Sequence, residues 1–197
     1  MDITPHISDL AASREQVHDL MAETTTVTCF GSRALLSLFV CAAPFPQSVV
    51  AAVTTEAEGL DRVKQHRPAF LFATEQLESG NGLSLVRQAH RELPELRTLL
   101  ILQSASPQLL QEALEAGCNG VVVESHLAQG AMVDAIRAVV GGGIYADRLG
   151  VEALRATRRG EAPEPLEALS EVGAFYWTVL APEIVNSRRK EQGSISV

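Results

Sequence analysis

The chain has 197 residues, a net charge of −8 and 46% apolar residues. That length suits one domain with extensions rather than two full domains, and the apolar share is enough for a packed core. The negative balance opposes duplex DNA unless a local basic patch dominates. No apolar run approaches the roughly 18–20 residues that cross a bilayer, so no membrane contact is expected. The opening Met1-Asp-Ile-Thr-Pro-His has no basic start leading into an apolar stretch, which predicts no signal peptide. Cys29, Cys41 and Cys118 are odd in number and widely spaced. They read as reduced, mostly buried thiols, and the expected location is cytoplasmic.

In chain order, residues 4–23 predict a leading helix. Ile7, Leu10, Val17, Leu20 and Met21 share one face at helical spacing, with Pro5 in the first turn. Residues 25–30 then read as a strand and 33–41 as a helix. Residues 47–53 read as a strand and 56–65 as a helix, 69–73 as a short strand and 83–91 as a helix. A strand at 98–103, a helix at 107–116, a strand at 120–123 and a helix at 130–140 complete the series. Short apolar runs alternating with amphipathic helices imply a parallel sheet covered on both faces. The fold class predicted is α/β: a flavodoxin-like, doubly wound sheet of five parallel strands with extra helices at both ends. Ligands of such a sheet bind at the carboxyl ends of the strands, here near residues 28–31, 74–78 and 102–105. Gly141-Gly-Gly143 ends the preceding helix. A further helix is expected at about 147–159, a linker near 160–165, and a polar tail after Phe175-Tyr-Trp177. The domain division is 1–24 as a helical extension, 25–143 as the main domain and 144–197 as a second extension.

Several segments carry a family resemblance. Pro68-Ala-Phe-Leu-Phe-Ala-Thr74-Glu-Gln-Leu-Glu-Ser-Gly-Asn-Gly82-Leu resembles the middle of a bacterial response-regulator receiver domain. Gln111-Glu-Ala-Leu-Glu-Ala-Gly-Cys-Asn-Gly-Val-Val-Val123 is similar to the fourth helix and fifth strand of receivers in LuxR/NarL-type regulators. The stretch from Gln129 to Tyr145 resembles their last helix and its exit. The resemblance covers roughly residues 25–158.

That resemblance implies a phosphorylation site, and the residues depart from it position by position. Phosphoryl transfer needs an acceptor carboxylate and acidic ligands for Mg²⁺. The acceptor falls on Thr74. The metal-binding acidic pair should close the first strand at about Cys29 and Phe30, yet no Asp or Glu occurs from Thr24 through Thr55. The phosphoryl-contacting lysine falls on Glu124. The switch hydroxyl falls on Leu102, or on Gln103 after a one-residue slip, and the switch aromatic on Val121. The proline after the acceptor falls on Glu78, while Gly82 is kept. Glu75 should point to the face opposite Thr74. Glu78 has two readings: a solvated loop residue, or a fixed negative charge in the pocket.

The resemblance also implies a helix-turn-helix output domain, and Glu164-Pro-Leu-Glu-Ala-Leu-Ser-Glu171 resembles its start. Only 26 residues follow Glu171, about half of what such a module needs. Arg188-Arg-Lys190 reads as a solvated basic cluster. These features argue against DNA binding by the chain alone.

The expectation is therefore a non-enzymatic pseudo-receiver that needs no cofactor and no metal. It acts in signal transduction through a protein partner or as a homodimer. Its candidate interface residues are Leu10, Val17, Leu109, Val122, Ile136 and Trp177. One alternative is a transcriptional regulator reaching DNA through a shortened C-terminal region. A second is a small-molecule sensor using the vacated pocket. No His or Cys pair shows metal spacing. Ser79-Gly-Asn-Gly82 could hold an anion on its amides but reads better as a turn.

Overall fold

The computed structural model describes residues 15–43, 46–104 and 106–146. Within them a six-stranded parallel sheet has the order β2-β1-β3-β4-β5-β6. The strands are β1 (Thr26–Cys29), β2 (Val49–Val53), β3 (Phe70–Thr74), β4 (Arg97–Leu102), β5 (Gly120–Val123) and β6 (Tyr145–Ala146). The helices are α1 (helical residues 15–21), α2 (Arg33–Ala42), α3 (Glu56–His66), α4 (Gly82–Glu92), α5 (Pro107–Glu115) and α6 (Ala131–Val140). The flavodoxin-like, doubly wound α/β architecture is the one the alternation predicts.

The strand sequences explain the two-sided cover. Side chains alternate across a sheet, and here both sets are apolar. Phe70, Phe72, Leu99, Ile101 and Val122 enter one core with Val17, Met21, Phe39 and Ile136. Leu71, Ala73, Leu100, Leu102 and Val121 enter the other with Val63, Leu85, Val86 and Leu110. The sheet is thus sandwiched between α1, α2 and α6 on one face and α3, α4 and α5 on the other. Four aromatics pack in series in the first core. Phe30 meets Phe39 edge-on at 5.0 Å, Phe39 meets Phe72 at 5.6 Å, and Phe70 stacks on Phe72 at 4.6 Å.

Local chemistry marks the helix starts. Ser32, Thr55, Asn81 and Ser106 each accept a backbone N–H of the helix they precede, the usual satisfaction of an otherwise unpaired first turn. Helix α3 carries Glu56 and Glu58 in its first turn and Lys64 and His66 in its last, matching the helix dipole. Gly141 follows α6 and donates to the Arg137 carbonyl at 3.1 Å, so the glycine run ends that helix as expected.

The structure differs from expectation in three places. The sheet has six strands rather than five, because Tyr145 and Ala146 pair in parallel with Gly120 and Val121. Residues 46–48 form a 3₁₀ turn instead of opening β2. The Ser48 hydroxyl there is directed at the Met21 and Ala22 carbonyls, at 3.0 and 3.2 Å, and so covers the end of α1. Val17, Val122 and Ile136, expected at an interface, are only 7%, 0% and 1% exposed. Each sits in this chain's own core and leaves almost no apolar area for a partner. Helix α1 is tied to its domain by this packing and by Arg137 donating to Gln16 at 2.6 Å. Leu109 is half-buried. Leu10, the helix at 147–159, the linker at 160–165, Trp177 and Arg188-Arg-Lys190 lie outside the described residues.

Candidate site at the carboxyl edge of the sheet

Strand register brings the predicted positions to one edge. Cys29 lies beside Ala73, Thr74 beside Ile101, and Leu102 beside Val123. A cleft of about 260 Å³ opens there, lined by Gly31, Ser32, Leu35, Thr74, Gln76, Leu77, Ile101, Gln103, Glu124 and Leu127. Of the predicted positions, Thr74, Gln103 and Glu124 meet in it.

The others are core residues. Cys29 is fully buried, its sulfur directed at the Thr55 carbonyl at 3.4 Å. Burial pushes its thiol up to about 12, so it stays protonated and unreactive near neutral pH. Phe30 is fully buried against Phe39. Leu102 and Val121 are buried in the core under α4 and α5. The end of β1 is therefore apolar on both faces, where Mg²⁺ binding would need carboxylates. Among the described residues no three His, Cys, Asp or Glu side chains gather as a metal site.

Thr74, the residue expected at the acceptor position, has both hydrogen-bonding roles engaged. Its Oγ1 accepts the Gly31 N–H at 3.0 Å and donates to the Gln76 carbonyl at 2.8 Å. The loop after β3 is thereby tied to the loop after β1. Gly31 permits the approach: a Cβ there would lie 2.3 Å from the Gln76 carbonyl oxygen. Gly82 has a similar reason, since its Cβ would lie 2.0 Å from the Thr74 carbonyl oxygen.

The acidic residues near the site are distributed differently. Glu75 accepts the Gln103 backbone N–H at 3.1 Å. Glu78 does not line the cleft. It forms a two-pronged pair with Arg33, at 2.6 and 3.0 Å, and accepts the Thr54 hydroxyl at 2.7 Å. Those donors, Arg33 first, hold its carboxyl below the usual range. Glu78 is thus an exposed loop residue, as the solvated reading has it, with Arg33 and Thr54 as partners, and it is not inserted in the pocket. Glu124 is half-buried in the cleft wall, and burial raises its pKa.

Glu56 is a functional-looking carboxylate that sequence reasoning missed. It accepts the Asn81 N–H at 2.7 Å, the Ser84 hydroxyl at 2.5 Å and the Gln88 amide at 2.6 Å. An internal carboxylate thus takes the place at the start of α4 where Ser79-Gly-Asn-Gly82 could have held an anion. Its signal was faint: an acid at the start of one helix and polar residues one turn apart on another. The apolar lining residues Leu35, Leu77, Ile101 and Leu127 were also missed, for they read as ordinary core positions.

No family model matches the chain. A curated relative, the DNA-binding transcriptional activator DevR/DosR of Mycobacterium tuberculosis, is 30% identical over 142 residues. The match covers 71% of this chain and 65% of that protein, so the chain spans less than two thirds of the relative. A LuxR-family two-component response regulator from Aurantimonas sp. SI85-9A1 superposes with a TM-score of 0.61 at 17% identity, covering 70% of this chain and 99% of that one. A structure of two RcsB dimers bound to two parallel DNAs gives a TM-score of 0.59 at 14% identity, covering 67% and 68%. Among the described residues no helix is long and apolar enough to cross a membrane. The chain carries a receiver-like domain that resembles those of LuxR/NarL-type two-component response regulators.

Proposed function

We propose that this chain is a phosphorylation-independent pseudo-receiver, acting in signal transduction through a protein partner or a second copy of itself. The observation that carries the reading is Thr74. The position that would accept phosphate bears a neutral hydroxyl whose donor is committed to the Gln76 carbonyl. The surroundings agree. Cys29 and Phe30 are buried where acids would hold the metal, and Glu124 reverses the charge of the expected lysine. Among the described residues no acid, base and nucleophile converge in the cleft, which fits a non-enzymatic role.

The test is incubation of the full chain with acetyl phosphate and Mg²⁺, read by intact mass. No phosphoryl adduct is expected. An adduct on a carboxylate would overturn the reading.

A transcriptional role has comparable support, because the curated relative is named a DNA-binding transcriptional activator and one structural relative is a dimer bound to DNA. Those names weigh against treating DNA binding as improbable from net charge alone. Under this second reading the chain contacts DNA through its C-terminal region, and the receiver-like domain sets the geometry of the dimer. Retention on duplex DNA that weakens steeply with added salt favours it. Binding absent at low salt would remove it.

A further inference from the structure

We propose that the cleft at the carboxyl edge of the sheet binds a small organic monocation, a primary ammonium or guanidinium carried on a short apolar stem. The inference deepens the reading of this edge as a vacated phosphorylation site and rests on that reading.

The argument begins with Glu124. Glu124 lines the cleft and is half-buried, yet no described side chain forms a hydrogen bond or an ion pair with it. Arg33, the cation nearest in sequence to the lining residues, is engaged with Glu78 outside the cleft. A carboxylate partly withdrawn from water without a partner is costly. Burial is the cause of its raised pKa, with no charged neighbour contributing. A cation entering the cleft would recover that cost.

The lining narrows the ligand further. Among the described residues Glu124 is the only carboxylate that lines it, too few for Mg²⁺ or Ca²⁺, which require several oxygen ligands. An anion meets like charge. A purely apolar ligand leaves the carboxylate uncompensated. Ser32, Gln76 and Gln103 supply neutral hydrogen-bonding groups beside the charge, and Leu35, Leu77, Ile101 and Leu127 supply apolar wall. The volume of about 260 Å³ lies just below the range of drug-sized pockets, so the stem is short. The same chemistry is offered by a free amine and by a lysine or arginine side chain of a protein partner.

The test is calorimetric titration of the full chain with n-butylammonium and n-butylguanidinium. n-Butanol and butyrate serve as uncharged and anionic controls. Saturable binding of the two cations, but of neither control, is expected. Glu124→Gln should weaken it on the order of tenfold or more while unfolding at the same temperature or higher. Leu77→Ala should weaken the n-butyl cations more than methylammonium. Blocked lysine and arginine, acetylated and amidated, separate the sources: tighter binding than the n-butyl cations identifies a protein side chain, weaker binding a free amine. No saturable heat with either cation, or equal binding by Glu124→Gln, overturns the proposal. Such a failure without phosphoryl uptake leaves the pseudo-receiver reading intact, whereas phosphoryl uptake from acetyl phosphate removes that reading by itself.

Discussion

The Thr74 hydroxyl accepts the Gly31 backbone N–H at 3.0 Å while donating to the Gln76 carbonyl at 2.8 Å. One short side chain thus joins the ends of β1 and β3 through two neutral hydrogen bonds. An aspartate cannot replace it in kind, because an ionised carboxylate accepts from Gly31 but repels the Gln76 oxygen. The edge of the sheet is built around a hydroxyl.

Thr74→Val keeps the shape and removes both bonds, leaving the Gly31 N–H and the Gln76 carbonyl unpaired. It should lower stability by about 1–3 kcal/mol. Thr74→Ser should stay within about 1 kcal/mol of the original. Urea unfolding followed by circular dichroism separates the two, and equal midpoints would show that the hydroxyl bonds are dispensable.

Gly31→Ala places a methyl 2.3 Å from a backbone oxygen, and the obstacle is main chain rather than a movable side chain. A loss of about 1–3 kcal/mol is expected, with faster amide exchange in residues 74–77. Preserved stability and exchange would mean that the two loops separate without cost.

Restoring the acceptor alone does not restore chemistry. Thr74→Asp should take up no phosphoryl group from acetyl phosphate and Mg²⁺, because Cys29 and Phe30 still leave β1 without metal ligands. Intact mass spectrometry reads the result. An adduct in this variant would show that metal binding does not depend on the end of β1.

Glu124 gives a pH dependence of defined sign. Its pKa is raised in the folded chain above the ordinary 4.5, so above that value the fold holds more proton than the unfolded chain. Stability therefore falls as pH rises through the window that starts near 4.5. Glu124→Gln removes this slope. It should melt higher than the original at pH 7 and equally at about pH 4. A lower melting point at pH 7 would mean that the carboxylate has a stabilising partner.

Val17→Asp tests whether α1 belongs to its own domain. Val17 is 7% exposed among Met21, Phe39 and Ile136, so a carboxylate there should cost about 2–4 kcal/mol. The loss should not depend on protein concentration. If it shrank as the chain was diluted, the residue would belong to an interface between copies.

The layered fold was legible because β3, β4 and β5 are apolar on both faces and are separated by helices with clear caps. Strand β6 was not, since two residues carry no period and Tyr145-Ala146 gains strand character only beside Gly120 and Val121. The departures on which the pseudo-receiver proposal rests were legible as residue types: no acid near Cys29, threonine at 74, glutamate at 124. The partners of the polar residues around them were hidden. Arg33 and Glu78 are 45 residues apart, and no local pattern announces that they pair. Glu56 likewise reaches Ser84 and Gln88 only because α3 and α4 lie side by side. Val122 and Ile136 were assigned outward by family likeness, whereas in a sheet covered on both faces such residues are core.

The most direct measurement is light scattering coupled to size exclusion and intact mass, on the full chain, with and without acetyl phosphate and Mg²⁺. A pseudo-receiver predicts one unchanged oligomeric state and no phosphoryl adduct. A phosphodonor-dependent shift in size with an adduct would contradict the account, because some carboxylate would then do the work that Thr74 cannot.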